Sequence, residues 1–349
     1  MLHPNDSFVY GSEIQGRGEA TTTDVLVGTL TFTLALFSVG FGILNLWLIK
    51  KMPIFHTAFG CFWASRTLGE ILNNLVHVVY SGPVTIIQSD SIPPWLGIAA
   101  YHIAFTFVYE SCAMHQIISL NRLIAVCFPL HYKRIFKKKT CKIIVIGIWT
   151  EVLVVSAAHY VIPCNYIGYG PRYYENVFVK CSVELDRDYS IVGTVLYRTC
   201  WVAICIGTIC SDLATFSRIL YLRFTMNVGP QDASYHRDVR FFAQTSIQNI
   251  TMTITATAIV LVNNRQTSTS FIANIITFDG VIFTHLMNAM SLVVVNPEVR
   301  KYLRGRCSTR HRDFSADSFY TIPSRLEHEY NTVDGKQTAP KSHKMATLL

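Results

Sequence analysis

The chain has 349 residues, half of them hydrophobic and only 15% charged, with a mean hydropathy of +0.32 and a formal net charge of +8. A soluble domain carries about 25% charged residues, so a water-soluble globule is excluded. So is a nucleic-acid-binding protein, because the lysines and arginines flank apolar stretches instead of forming a basic domain.

The first 24 residues are polar, with no basic segment leading into an apolar core, so no cleaved signal peptide is expected. Asn5-Asp6-Ser7 makes Asn5 a glycosylation candidate if this tail lies outside the cell. Gly16 and Gly18 follow no strand, which excludes a phosphate-cradling loop there.

Apolar stretches then recur seven times: Val25–Ile49, Thr57–Tyr80, Trp95–Cys127, Ile143–Ile162, Ser190–Tyr221, Val239–Val262 and Ser270–Val295. About 20 apolar residues cross a bilayer as a helix, because the backbone must satisfy its own hydrogen bonds in lipid. The expected fold is therefore an all-α membrane protein, a seven-transmembrane helix bundle over residues 25–306. It is preceded by an extracellular tail (1–24) and followed by a disordered cytoplasmic tail (307–349). The third and fifth spans exceed the bilayer thickness and should tilt or project.

Orientation follows from flanking charge. Lys50 and Lys51, then the basic cluster from Lys133 to Lys142, then Arg218, Arg223, Arg237 and Arg240, and finally Arg300 to Arg306 all fall on one side. The other side has only Arg17, Arg172, Lys180, Arg187 and Arg265. The N-terminus is expected outside and the C-terminus inside. An oxidising exterior favours a disulfide between Cys164 and Cys181 in the fourth loop. The loop they close, about 18 residues, is worth roughly 3 kcal/mol on the chain-entropy model; two free thiols are the alternative. The ten cysteines form no zinc pattern, and Cys200, Cys205 and Cys210 read as small apolar residues of one span. No metal or cofactor is expected.

Ionisable residues inside spans are functional candidates. Arg66 and Glu70 lie four apart, so one helical face holds both, as a pair that fixes packing or as a working site. Glu110, His115 and Glu151 have no partner that sequence can name. Nearer the outer face, Tyr101, His102, Phe105, His159, Asp279 and His285 are candidates to line a pocket for an external small-molecule or peptide ligand. No His-Glu-x-x-His helix and no Gly-x-Ser-x-Gly elbow occurs, so no enzyme is expected.

The most specific local signal is His115 to Tyr132, HQIISLNRLIAVCFPLHY. Asn121-Arg122 ends a long span, and Pro129 stops the helix just beyond it. Arg122 alone fits a snorkelling side chain equally well. Together, Asn121-Arg122, Pro129, Tyr132 and Ile135-Phe136 before a basic loop resemble the arginine motif that ends the third helix of G-protein-coupled receptors. The segment is most similar to the nematode chemoreceptors of serpentine receptor class x. Asn45, Trp149, the Cys164/Cys181 loop and Asn296-Pro297 are further points of similarity, and the resemblance runs over about residues 25 to 306. It implies a chemosensory receptor of the plasma membrane, in some members the ciliary membrane of a sensory neuron. It also implies that Asn121, Arg122, Pro129 and Tyr132 contact a heterotrimeric G protein.

There are departures. Asn121 replaces the aspartate of the rhodopsin-like class, leaving Asp238 as a candidate partner for Arg122. The sixth span lacks the Trp and Pro of that class, and no cysteine opens the third span. A seven-span channel subunit is an alternative, disfavoured by the charge bias. A transporter is another, without visible repeats. The tail begins with a basic segment suited to anionic membrane lipid, and Cys307 follows it as a lipidation candidate.

Overall fold

The computed structural model describes residues 8–225, 233–263 and 271–305. Among these residues seven long helical segments form a bundle. Helix α1 (Thr22–Lys51) starts with a capping box, in which the Thr21 hydroxyl accepts from the Asp24 amide and the Asp24 carboxylate accepts from the Thr21 amide. Helix α2 (Ala58–Val76) continues through a π turn (His77–Ser81) into α3 (Gly82–Ile87). The second span thus runs past its expected end at Tyr80. Pro83 has no amide hydrogen, and the wider turn before it absorbs the lost bond without breaking the rod.

Helix α4 (Pro94–Cys127) is the axis of the bundle, packing against α2, α6 (Lys138–Val161), α7 (Arg198–Thr225) and α8 (Ala233–Asn263). A short helix, α5 (Pro129–Ile135), leaves its end. Helix α9 (Phe271–Val295) packs on α1 and α8 and passes into α10 (Pro297–Leu303). There Asn296 caps the new helix by accepting from the Glu298 and Val299 amides. Among the described residues four of these rods, α1, α6, the π-α7 rod Gly193–Tyr221 and Ile272–Val295, are long and apolar enough to cross a membrane. Helix α6 exposes Ile146, Leu153, Val154 and Val161, a face that suits lipid.

One end of the bundle carries the only described sheet, a hairpin of β1 (Ile167–Gly170) and β2 (Glu175–Phe178) between α6 and the π turn that opens α7. The hairpin was not expected from the sequence. Cys164, just before it, is disulfide-bonded to Cys181, just after it. Residues 8–21, which composition alone makes a polar tail, also pack at this hairpin end. Ile14 is buried against Ile98 and Val179. The Gly16 amide donates to the Ser89 carbonyl at 2.9 Å and the Gly18 amide to the Gln88 carbonyl at 2.7 Å. A Cβ on Gly16 would lie 2.1 Å from the Gln88 carbonyl carbon, so this crossing requires glycine.

Asp24 clamps the strap. It takes Arg17 at 2.8 Å, the Thr21 hydroxyl at 2.6 Å, Gln88 at 2.9 Å and the Tyr174 hydroxyl. Arg172 donates to the Gly16 carbonyl at 2.5–2.9 Å and so ties the strap to the hairpin. The opposite end is closed by an apolar cluster that includes Leu48, Phe55, Phe62, Trp63, Leu292 and Val299.

Candidate functional site

Below the strap and hairpin lies a cavity of about 930 Å³, open to the hairpin end. Its lower wall is apolar, with Tyr101, Phe105 and Val108 of α4, Trp201 of α7, and Phe278 and Val281 of α9. Its rim is charged: Glu13, Glu175, Lys180, Asp188 and Arg198. Burial pushes the Glu175 carboxyl up to about 7, against a hydrogen bond from Asn274 that lowers it. Tyr169 of β1 is held by a 2.6 Å hydroxyl contact with Thr85, and burial raises its phenol. An apolar body with a few placed polar groups at the mouth is the usual form of a small-molecule pocket.

The six candidate pocket residues are divided by the fold. Tyr101 and Phe105 line the cavity. His102 and His159 do not; they face each other across α4 and α6, behind that wall. Asp279 turns toward α1, accepting from the Thr31 hydroxyl at 2.7 Å. His285 sits deeper, its Nδ1 3.1 Å from the Asn74 amide nitrogen. It lines a second space of about 20 Å³, directly beneath the first. That space has room for about one water molecule. Val108, Trp201 and Val281 line both spaces, so one layer of side chains separates them.

Beneath this layer the buried polar residues form a connected network. The Arg66 Nε is 3.5 Å from Glu70 Oε1, and the same oxygen accepts from Asn288 at 2.7 Å. Asn288 also lies 3.3 Å from His115 Nε2, and His115 Nδ1 lies 2.8 Å from Asn249 Oδ1. A proton on Nδ1 accounts for both histidine contacts. Asn249 then donates to Asp212 at 2.8 Å, and Ser119 donates to the other Asp212 oxygen at 2.5 Å. Gln248 accepts from Arg66 at 3.1 Å and donates to the Asn288 carbonyl at 3.1 Å. Helices α2, α4, α7, α8 and α9 thus share one hydrogen-bonded web. Glu110 lies apart from it, accepting from Ser65 at 2.6 Å, where Trp149 also donates. Glu151 accepts from Tyr109 at 3.3 Å.

The sequence marks Arg66, Glu70 and His115 of this web as candidates; Asp212 and the amides were missed. Asn249, Gln248 and Asn288 sit in windows that remain apolar on average. A search for amides recurring every three to four residues on α8 would have marked Gln244 and Gln248 as one face.

At the end opposite the hairpin, Asn121 donates to the Tyr132 hydroxyl at 3.2 Å. Tyr132 packs on Phe136, which packs on Phe62. Pro129 opens α5, so the turn after α4 folds back on its own asparagine. Arg122 places its guanidinium 4.8 Å from the centre of the Phe59 ring. The side chain of Asp238 lies outside the described residues, as do Asn5 and Cys307.

Comparison with known proteins matches residues 32–296 to the family of serpentine-type seven-transmembrane G-protein-coupled chemoreceptors, Srx. Among human (Homo sapiens) proteins, the chain is 21% identical to olfactory receptor 2AE1 over 56% of this chain and 62% of that one. It is 21% identical to olfactory receptor 2AJ1 over 63% and 65%, and 24% identical to olfactory receptor 2T3 over 82% and 89%. The chain thus spans a little under two thirds of the length of the first two relatives. A bundle of long apolar helices agrees with the family match: the chain belongs to the Srx serpentine chemoreceptors, multi-pass membrane proteins of the G-protein-coupled receptor class.

Proposed function

We propose that this receptor binds an external small molecule or short peptide in the 930 Å³ cavity and activates a heterotrimeric G protein at its opposite end. In this reading the hairpin end faces the outside of the plasma membrane, with the ciliary membrane of a sensory neuron as one setting, and the C-terminus lies in the cytosol. The observation that carries it is the shared floor: Trp201, Val108 and Val281 border both the cavity and the small space above the polar network.

A ligand shifts the bundle only through higher affinity for one of its conformations. One that displaces the floor acts on His285 and Asn288, and through them on Glu70, His115, Asn249 and Asp212, which link five helices. The G protein would read the change at Asn121, Arg122, Pro129 and Tyr132. Olfactory receptors among the relatives support a chemical stimulus.

The experiment is a ligand screen on the expressed receptor with nucleotide exchange on Gα as readout, followed by Arg122→Ala. Loss of ligand-driven exchange at unchanged surface level supports the assignment. Full exchange in R122A counts against it.

A further inference from the structure

The segment from Glu184 to Tyr189 is Glu-Leu-Asp-Arg-Asp-Tyr, so acidic residues stand one, three and five places before a tyrosine. It lies in the stretch 182–189, which runs from the disulfide at Cys181 to the buried Ser190 and contains no helix or strand. Glu184, Asp186 and Asp188 are exposed, and Tyr189 keeps 48% of its surface open. Among the described residues, no backbone–backbone hydrogen bond holds 182–189 to the rest of the molecule. An enzyme can therefore draw this stretch into a cleft without breaking a ladder.

We propose that Tyr189 is a sulfation site, modified by a tyrosine sulfotransferase of the secretory pathway. The proposal rests on the reading above, in which the hairpin end faces outside and so passes through the lumen where such enzymes work. The phenol oxygen forms a bond to the sulfur of an adenosine phosphosulfate donor. The bond from that sulfur to the donor's phosphate oxygen breaks, and the phenol proton passes to a base of the enzyme. Nothing is oxidised or reduced, and the leaving group is an adenosine bisphosphate.

The acidic flank is what such an enzyme recognises. Its site must be basic to hold the polyanionic donor, so it attracts carboxylates beside the acceptor and repels bases. Tyr173 in the hairpin turn is 46% exposed but follows Arg172. Tyr166, Tyr169 and Tyr174 have no acidic residue directly before them, and the last two are 1% exposed. The one base within the segment, Arg187, is engaged by the loop itself. It donates to the Cys164 and Tyr189 carbonyls, each at 2.6 Å, and to Asn165 at 3.3 Å, and it lies over the Phe178 ring. The carboxylates therefore set the field around the Tyr189 side chain.

Asp188 and Tyr189 both border the large cavity. A sulfate ester there stays ionised at every physiological pH. It joins Glu13, Glu175 and Asp188 against Lys180 and Arg198 at the rim. The added charge raises the local concentration of cationic ligands at the mouth and lowers that of anionic ones.

The test uses the full-length receptor with an N-terminal epitope tag, expressed in cultured animal cells fed radiolabelled sulfate. Tyrosine sulfate is released from the immunoprecipitated protein by alkaline hydrolysis, which leaves sulfate on glycans out of the count. Label is expected in the wild type, reduced severalfold in Asp188→Asn and at least tenfold in Tyr189→Phe. Mass spectrometry of the wild-type peptide spanning Tyr189 gives a readout that does not depend on variant folding, with the sulfuryl group expected on that tyrosine. Staining of the tag on intact cells reports surface level and orientation. Absence of tyrosine sulfate in a wild type stained on intact cells overturns the proposal and leaves the proposed function standing. So does undiminished label in Tyr189→Phe, or a sulfuryl group found only on another tyrosine. A tag stained only after permeabilisation overturns both.

Discussion

The Arg66 guanidinium lies 3.5 Å from the Glu70 carboxylate, one helical turn along α2, and neither side chain reaches solvent. Removing one member of a buried pair strands the other charge, typically at about 3–5 kcal/mol, whereas replacing both with apolar residues of similar volume is often close to neutral. Arg66→Met alone is therefore expected to lower the melting temperature of the purified receptor sharply, and Arg66→Met with Glu70→Met to recover most of the loss. Additive losses in the double variant would show that the two charges do not act as a pair.

Asp212 is the acceptor that joins α4 and α8 to α7, through Ser119 and Asn249. Hydrogen bonds to a charged acceptor contribute about 1.5–3 kcal/mol each. Asp212→Asn should weaken both and loosen the contact of α7 with the centre of the bundle. On the proposed function, basal nucleotide exchange rises severalfold while ligand affinity in the cavity changes little. A variant with wild-type melting and wild-type basal exchange would remove Asp212 from any switching role.

Glu175 makes the hairpin sensitive to pH. Burial raises its carboxyl from 4.5 to about 7. A raised carboxyl favours the protonated folded state, so its contribution is complete below the unfolded value of 4.5 and is lost as pH climbs through about 7. Between pH 4.5 and 7 the wild type should therefore lose a few degrees of melting temperature that Glu175→Gln keeps. Parallel melting curves for the two proteins across this window would contradict the assignment.

Gly16 permits the strap to cross residues 88–89, because a Cβ there would overlap the Gln88 carbonyl carbon at 2.1 Å. Gly16→Ala is expected to lift the strap and expose the chain near Arg17 to trypsin, with the bundle itself intact. Limited proteolysis gives the readout: an N-terminal cut at least tenfold faster than in the wild type. Unchanged cleavage would mean that the strap tolerates the extra carbon by shifting elsewhere.

The spans were legible from hydropathy, which needs no partner, even though only four of the rods are long and apolar enough to cross a membrane among the described residues. What failed were readings that depend on which helix stands beside which. Pro83 marks a helix end by local rules, yet the π turn from His77 to Ser81 carries the rod past it to Ile87. The hairpin was hidden because Ile167 to Gly170 and Glu175 to Phe178 are only four residues each and rich in glycine and polar residues. His102, His159, Asp279 and His285 all lie on the half of the bundle that their depth suggests. Only helix rotation decides which of them meets the cavity, and rotation is set by neighbours that one sequence does not name. Arg66 and Glu70 were paired from their spacing because both stand on one helix, where the geometry is fixed by 3.6 residues per turn.

The floor of the large cavity is one side chain thick at Trp201. On the proposed function, a short ligand would occupy the upper chamber and leave the indole in place. A longer one must push the indole aside and reach the imidazole of His285. On that reading potency and efficacy separate by molecular reach, so within a homologous series of stimuli chain length is expected to turn a silent blocker into an activator.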